Sequence, residues 1–196
     1  MKCPHCNNDI VIDTITLKKA VTPMLKIDDK PKEFNGFSPL IDFDDSKNIK
    51  NFSERKAGSK IEKIVIHSTG MEKAGRSSVV SWFSNPEAQA SAHYLITSDG
   101  KICGLVSEIK KAWHATSANS TSIGLELQGP CGLKQYKEAQ LLPLARLIKD
   151  IRSRYGNIPI ITHADVDPVR KAGDPFEKKY RDAAIAEIEK MISELK

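Results

Sequence analysis

Apolar positions along this chain fall into short runs whose period changes from two to about three and a half and back. Ile61-Glu62-Lys63-Ile64-Val65-Ile66-His67 has the character of a buried strand, closed by Ser68-Thr69-Gly70. Within it Ile64 and Ile66 face one way, Val65 and His67 the other. Ser77 to Phe83 predicts a short helix stopped near Asn85-Pro86. Ser91–Thr97 and Ile102–Val106 predict two strands joined at Asp99-Gly100. Ser122–Leu127 predicts another strand. From Glu138 to Tyr155, Leu141, Leu144, Ala145, Ile148 and Ile151 recur at helical spacing, with Gly156 placed to end the helix. Pro159–Thr162 predicts a strand, and Ile185, Ile188, Ile192 and Leu195 mark the buried stripe of a closing helix. Strands mixed with helices, including a hairpin, predict an α/β fold with a mixed central β-sheet flanked by helices.

Residues 1–56 lack this regularity. Ile10–Leu17 predicts a strand, after which Pro23, Pro31, Gly36 and Pro39 punctuate a polar stretch with Asp42, Asp44 and Asp45. The pattern predicts an irregular N-terminal arm or small accessory element over 1–56, and the main domain over 57–196. Phe34, Phe37 and Phe43 are expected to anchor the arm, and Trp82 to lie in the core. Cys3-Pro4-His5-Cys6 is half of a metal knuckle. No second C-x-x-C follows, so a structural metal and a free reduced pair both stay open.

Charge narrows the partners. A formal net charge of +5 over 196 residues favours an anionic partner. The Lys and Arg residues are dispersed and form no basic–aromatic patch, which argues against nucleic acid. No apolar run is long enough to span a bilayer, so membrane insertion is not expected. The four cysteines are too scattered for a disulfide scaffold. The first residues carry no apolar signal region. Synthesis in the cytoplasm is therefore expected, with any action at the cell wall following holin-type release or non-classical export.

The candidate chemistry gathers at strand ends. His163 closes the run Ile160–Thr162, and a turn-rich segment after it carries Arg170, Lys171 and then Asp174 ahead of Pro175. Imidazole and carboxylate together suit a catalytic zinc, but two ligands cannot hold it. His67 ends its own strand in the same manner, so two of the five histidines share one context. Glu126 interrupts the apolar strand Ser122–Leu127 and faces opposite to Ile123, Leu125 and Leu127. Such a carboxylate is either solvated or lines a pocket, where burial would raise its pKa towards that of a general base.

Five separated segments carry a resemblance: Ile64–Gly70; Ser91–Ile96 with Asp99–Ile102; Ala112-Trp113-His114-Ala115; Asn119 with Ser122–Leu127; and His163–Val166 through Arg170, Lys171 and Asp174-Pro175. In this order the chain resembles the type 2 N-acetylmuramoyl-L-alanine amidases, which share their fold with peptidoglycan recognition proteins. The resemblance covers roughly residues 57–180. It implies a zinc amidase cleaving the amide between N-acetylmuramic acid and the L-alanine of the stem peptide. It further implies zinc ligands at His67, His163 and Asp174, a general base at Glu126 and an oxyanion-stabilising lysine at Lys171. His114, Asn119 and Arg170 fall where similar enzymes line the substrate cleft. One departure stands out: Ala172 and Gly173 both intervene between Lys171 and Asp174, where one residue is usual. Gly173 is expected to absorb the extra residue as a bulge, with Asp165 and Asp167 as the local substitute ligands.

The resemblance admits several roles: phage endolysin, cytoplasmic muropeptide-recycling amidase, exported effector amidase, or a peptidoglycan-binding module without activity. The combination of His67, His163, Asp174 and Glu126 favours an enzyme acting on peptidoglycan or a muropeptide, and the irregular arm favours the endolysin role. Oligomeric state is not legible in the sequence.

Overall fold

The computed structural model describes residues 34–196 apart from Glu72 and Ala74. The expectations for Cys3 and Cys6 and for a strand at Ile10–Leu17 lie outside the described residues. In chain order the strands and helices are β1 (Phe43–Asp44), β2 (Phe52–Glu54), β3 (Lys63–Ser68), α1 (Arg76–Ser84), β4 (Tyr94–Ile96) and β5 (Ile102–Gly104). There follow β6 (Lys110–Ala112), β7 (Ser122–Leu127), α2 (Glu138–Tyr155), β8 (Ile160–Thr162), α3 (His163–Val166) and α4 (Arg181–Glu194). None of the described helices is long and apolar enough to cross a membrane.

Among the described residues, six strands form one sheet in the order β1-β5-β4-β7-β3-β8. It is mixed, as expected: β4 and β5 are antiparallel, and the remaining neighbours are parallel. Alternation divides its two faces. Ile64 and Ile66, Tyr94 and Ile96, and Ile123, Leu125 and Leu127 join the main apolar core with Leu141, Leu144, Ile148 and Ile151 of α2 and Ile188 of α4. Each such side chain, fully buried, contributes roughly 1.5–3 kcal/mol of transfer free energy. Glu138 in the first turn of α2 and Arg152 and Arg154 in the last suit the helix dipole, and Gly156 ends the helix with its N–H on the Arg152 carbonyl. Gly100 (φ +84°) turns the β4–β5 hairpin against the start of α2. A Cβ there would lie 2.1 Å from the Ala139 carbonyl oxygen, so only glycine allows this approach.

The opposite face is divided between packing and chemistry. Leu95 and Cys103 pack there with Val79, Val80 and Phe83 of α1. Further along, β3 and β7 turn His67 and Glu126, both buried, towards a cleft.

One packing expectation is corrected. Trp82 is not core: α1 buries Val79, Val80 and Phe83, while Trp82 is 49% exposed at the cleft rim. Residues 34–56, within the segment expected to form an N-terminal arm or small accessory element, belong to the compact unit Phe34–Lys196. β1 extends the main sheet beside β5, and β2 pairs with β6. Ile49 is buried beneath α1, and the Asn51 amide donates to the carbonyls of Phe83, Asn85 and Ala90. Strands of two and three residues carry too little alternation to be seen as pattern. Of the aromatic residues in this segment, Phe37 packs edge-on against Tyr94, whereas Phe34 and Phe43 are partly exposed beneath the guanidinium groups of Arg154 and Arg76.

Candidate metal centre and cleft

β7, β3 and β8 lie side by side and parallel, so their C-terminal ends open on the same edge. That edge carries His67 near the end of β3, Glu126 near the end of β7, and His163 directly after β8. His67 and Glu126 are register partners. His163 begins the short helix α3, whose entry is set by a capping box. Asp165 accepts from the backbone N–H and the hydroxyl of Thr162, both at 2.7 Å.

Asp174 reaches this edge despite the extra residue before it. A turn closes from the Asp174 N–H to the Lys171 carbonyl (2.9 Å), and the Ala164 N–H donates to the Asp174 carbonyl (3.0 Å). The turn takes up the additional length while Gly173 keeps an ordinary negative φ, so no left-handed bulge is used. The side chain is held at both oxygens: Oδ1 accepts the Ser68 N–H at 2.7 Å, and Oδ2 lies 3.1 Å from His163 Nδ1. Asp165 and Asp167 serve the loop, paired to Arg181 and Arg170.

His67 Nδ1 lies 2.9 Å from His163 Nδ1. His67, His163 and Asp174 thus bring one ligand atom each within 4.8 Å of one another, and all three residues are buried. A tetrahedral zinc with bonds of ~2.0–2.1 Å separates its ligand atoms by about 3.3 Å. The observed 2.9 and 3.1 Å separations need an opening of only a few tenths of an ångström. The donor set also fits electronically. Burial first, then the neighbouring His114 and His163, pushes the His67 pKa well below its usual value, leaving a neutral imidazole.

Glu126 stands apart in hydrogen bonding. It is buried, and its Oε2 has no hydrogen-bond partner among the described residues. Burial and, after it, the Asp174 carboxylate raise its pKa well above the ordinary glutamate value, with Lys171 opposing. A carboxylate tuned upward at a cleft is poised to take a proton.

All eight residues singled out from the sequence line one cleft: His67, His114, Asn119, Glu126, His163, Arg170, Lys171 and Asp174. Their settings differ. Lys171 and Arg170 are exposed, and Arg170 is tied back to Asp167 at 2.6 Å. Asn119 braces a loop, its Oδ1 accepting the N–H groups of His114 (2.9 Å) and Ala115 (2.6 Å). His114 is buried, with one ring nitrogen 2.9 Å from His67 Nε2 and the other 3.2 Å from Ser122 Oγ. His93 is buried too, its Nδ1 accepting the Gly124 N–H.

Sequence reasoning missed the cleft residues Met71, Trp82 and Trp113 and the roles of Ser68 and Ser122. The alternation Ser122-x-Gly124-x-Glu126, which places all three on one face of β7, was the available signal for Ser122. Arg55, from the segment read as an arm, donates to the carbonyls of Asn119, Ser120 and Ser122, and so secures the His114 loop.

A family model described as N-acetylmuramoyl-L-alanine amidase matches residues 57–177. This chain belongs to that family. Among relatives of this amidase-family chain, N-acetylmuramoyl-L-alanine amidase A of Achromobacter lyticus is 39% identical over 102 residues, covering 51% of this chain and 56% of the relative. The 1,6-anhydro-N-acetylmuramyl-L-alanine amidase AmpD of Escherichia coli is 37% identical over 97 residues, covering 44% and 52%. The chain thus spans about half the length of the curated relatives it matches. A solved AmpD structure superposes with a TM-score of 0.64 at 23% identity, covering 78% of this chain and 96% of that one. The Staphylococcus aureus hydrolase AmiA gives 0.58 at 15% identity, covering 80% and 84%. These likenesses establish that the mixed sheet and its helices are the amidase-family fold.

Proposed function

We propose that this chain is a zinc-dependent peptidoglycan amidase that hydrolyses the amide between N-acetylmuramic acid and the L-alanine of the stem peptide. One observation carries the reading: three buried metal-competent side chains converge at a cleft beside a buried glutamate whose Oε2 is unpartnered. A recognition module without activity has no physical need for that costly carboxylate.

His67, His163 and Asp174 would hold the metal. Zinc bound there supplies Lewis-acid polarisation of the scissile carbonyl and promotes ionisation of the attacking water. Glu126 accepts the proton of the attacking water and returns it to the leaving amine, a role that its upward-shifted pKa favours. Lys171, at the cleft wall, offsets charge growing on the carbonyl oxygen. His114 and Asn119 shape the wall from behind, while Trp82 and Trp113 offer aromatic surface to the substrate.

The basic net charge of +5 supports an anionic wall polymer as the working surface. An endolysin-type role, with release through a holin-type or non-classical route, belongs to this proposal. The AmpD relatives' name supports a second substrate form, soluble 1,6-anhydro-muropeptide. Incubating the protein with purified sacculi and, separately, with anhydro-muropeptide, then identifying products by mass, tests both. Free stem peptide from either substrate is the expected product, and the faster one assigns the role. Release from neither overturns the amidase reading.

A further inference from the structure

Behind His67 runs a chain of hydrogen bonds whose direction is set by its far end. Ser122 Oγ lies 2.6 Å from the Ala118 carbonyl oxygen, which can only accept. The single serine proton is therefore committed to Ala118. Ser122 Oγ also lies 3.2 Å from His114 Nε2, and with its proton committed it must accept there. His114 Nε2 accordingly carries a hydrogen. In a neutral imidazole the other nitrogen is then a bare lone pair, and His114 Nδ1 lies 2.9 Å from His67 Nε2. His67 Nε2 must donate to it. The remaining nitrogen of His67, Nδ1, is left unprotonated, and it is the atom facing His163 Nδ1.

Resting on the metal-centre reading above, we propose that Ser122 and His114 are positioning residues that lock His67 in its Nε2–H tautomer, presenting Nδ1 as a ready metal donor before metal arrives. Two independent features support the lock. The His114 ring lies over Gly124, where a Cβ would come within 2.5 Å of the ring carbon Cγ, so the ring's place depends on the missing side chain. The Asn119 brace and Arg55 fix the backbone of the same loop. A histidine free to exchange tautomers would present the wrong nitrogen part of the time, and partners behind a metal-ligating histidine typically alter affinity 10–100-fold.

The test uses the full-length chain, histidine-labelled and chelator-treated. Long-range proton–nitrogen NMR correlations should show His67 protonated at Nε2 and bare at Nδ1. The opposite tautomer overturns the lock whether or not the protein proves to be an amidase. In Ser122→Ala the His114 and His67 tautomers should become mixed, and zinc affinity, measured by competition with a chromophoric chelator, should weaken about 10–100-fold. Wild-type tautomers and affinity in that variant overturn the lock. If Ser122→Ala does not fold, His114→Asn and His114→Leu decide. Asparagine keeps an acceptor oxygen towards His67 Nε2 and should preserve the tautomer and most of the affinity. Leucine should lose both, and equal behaviour of the two variants overturns the lock.

Discussion

His67 and Glu126 are register partners on adjacent parallel strands, so backbone pairing alone fixes a metal-competent imidazole beside a buried carboxylate. Neither residue relies on a loop for its position. Sites carried on strands are held more tightly than sites on loops, and the least regular member, Asp174, is accordingly the one tied down at both carboxylate oxygens.

Glu126→Gln should fold, keep its metal and lose turnover. General-base catalysis is worth roughly 10²–10⁴-fold, so stem-peptide release from sacculi should fall by that factor at unchanged zinc content. Near-normal turnover would remove the base assignment.

The same glutamate makes stability depend on pH in a known direction. Its folded pKa lies well above the ordinary 4.5. The folded state therefore binds the proton more tightly than the unfolded chain, and stability from this group is lost as pH rises above that value. In chelator-treated protein, the melting temperature of wild type relative to Glu126→Gln should fall between acidic and neutral pH. A flat or rising difference contradicts the raised pKa.

Removing any of the three convergent side chains should remove metal and activity together. His67→Ala, His163→Ala and Asp174→Ala are expected to purify with little zinc and to show background turnover. Chelation of the wild type should abolish activity, and added zinc should restore it. A zinc-replete but inactive His163→Ala would move that residue out of the ligand set.

Lys171→Ala should leave metal content unchanged and lower kcat about 10²–10³-fold, the usual cost of losing one oxyanion-stabilising donor. Because Lys171 is exposed, its melting temperature should not move. A change confined to KM would instead mark Lys171 as a substrate-binding group.

Trp82→Ala separates packing from recognition. With Trp82 half exposed on α1, the substitution should shift stability by no more than about 0.5 kcal/mol in a denaturant melt. KM for sacculi should rise. A loss of several kcal/mol would restore Trp82 to the core.

The sequence by itself determined the local elements and the orientation of their side chains. Period-two alternation turned His67 away from Ile64 and Ile66, and Glu126 away from Leu125 and Leu127, while the helical spacing of Leu141 to Ile151 placed α2 on the apolar face. These patterns are legible because burial acts on each residue through its own backbone geometry. Only the tertiary structure decided that residues 67, 126, 163 and 174 meet. Their meeting depends on the strand order β7-β3-β8, and periodicity within a strand carries no information about its neighbours. The turn from Lys171 to Asp174 that absorbs the extra residue, the pairing of β1 with β5 and of β2 with β6, and the hydrogen bond from Ser122 to the Ala118 carbonyl are likewise set by contacts the local pattern does not encode. Short strands and single hydrogen bonds leave no repeating mark in a sequence, because what stabilises them lies across space and not along the chain.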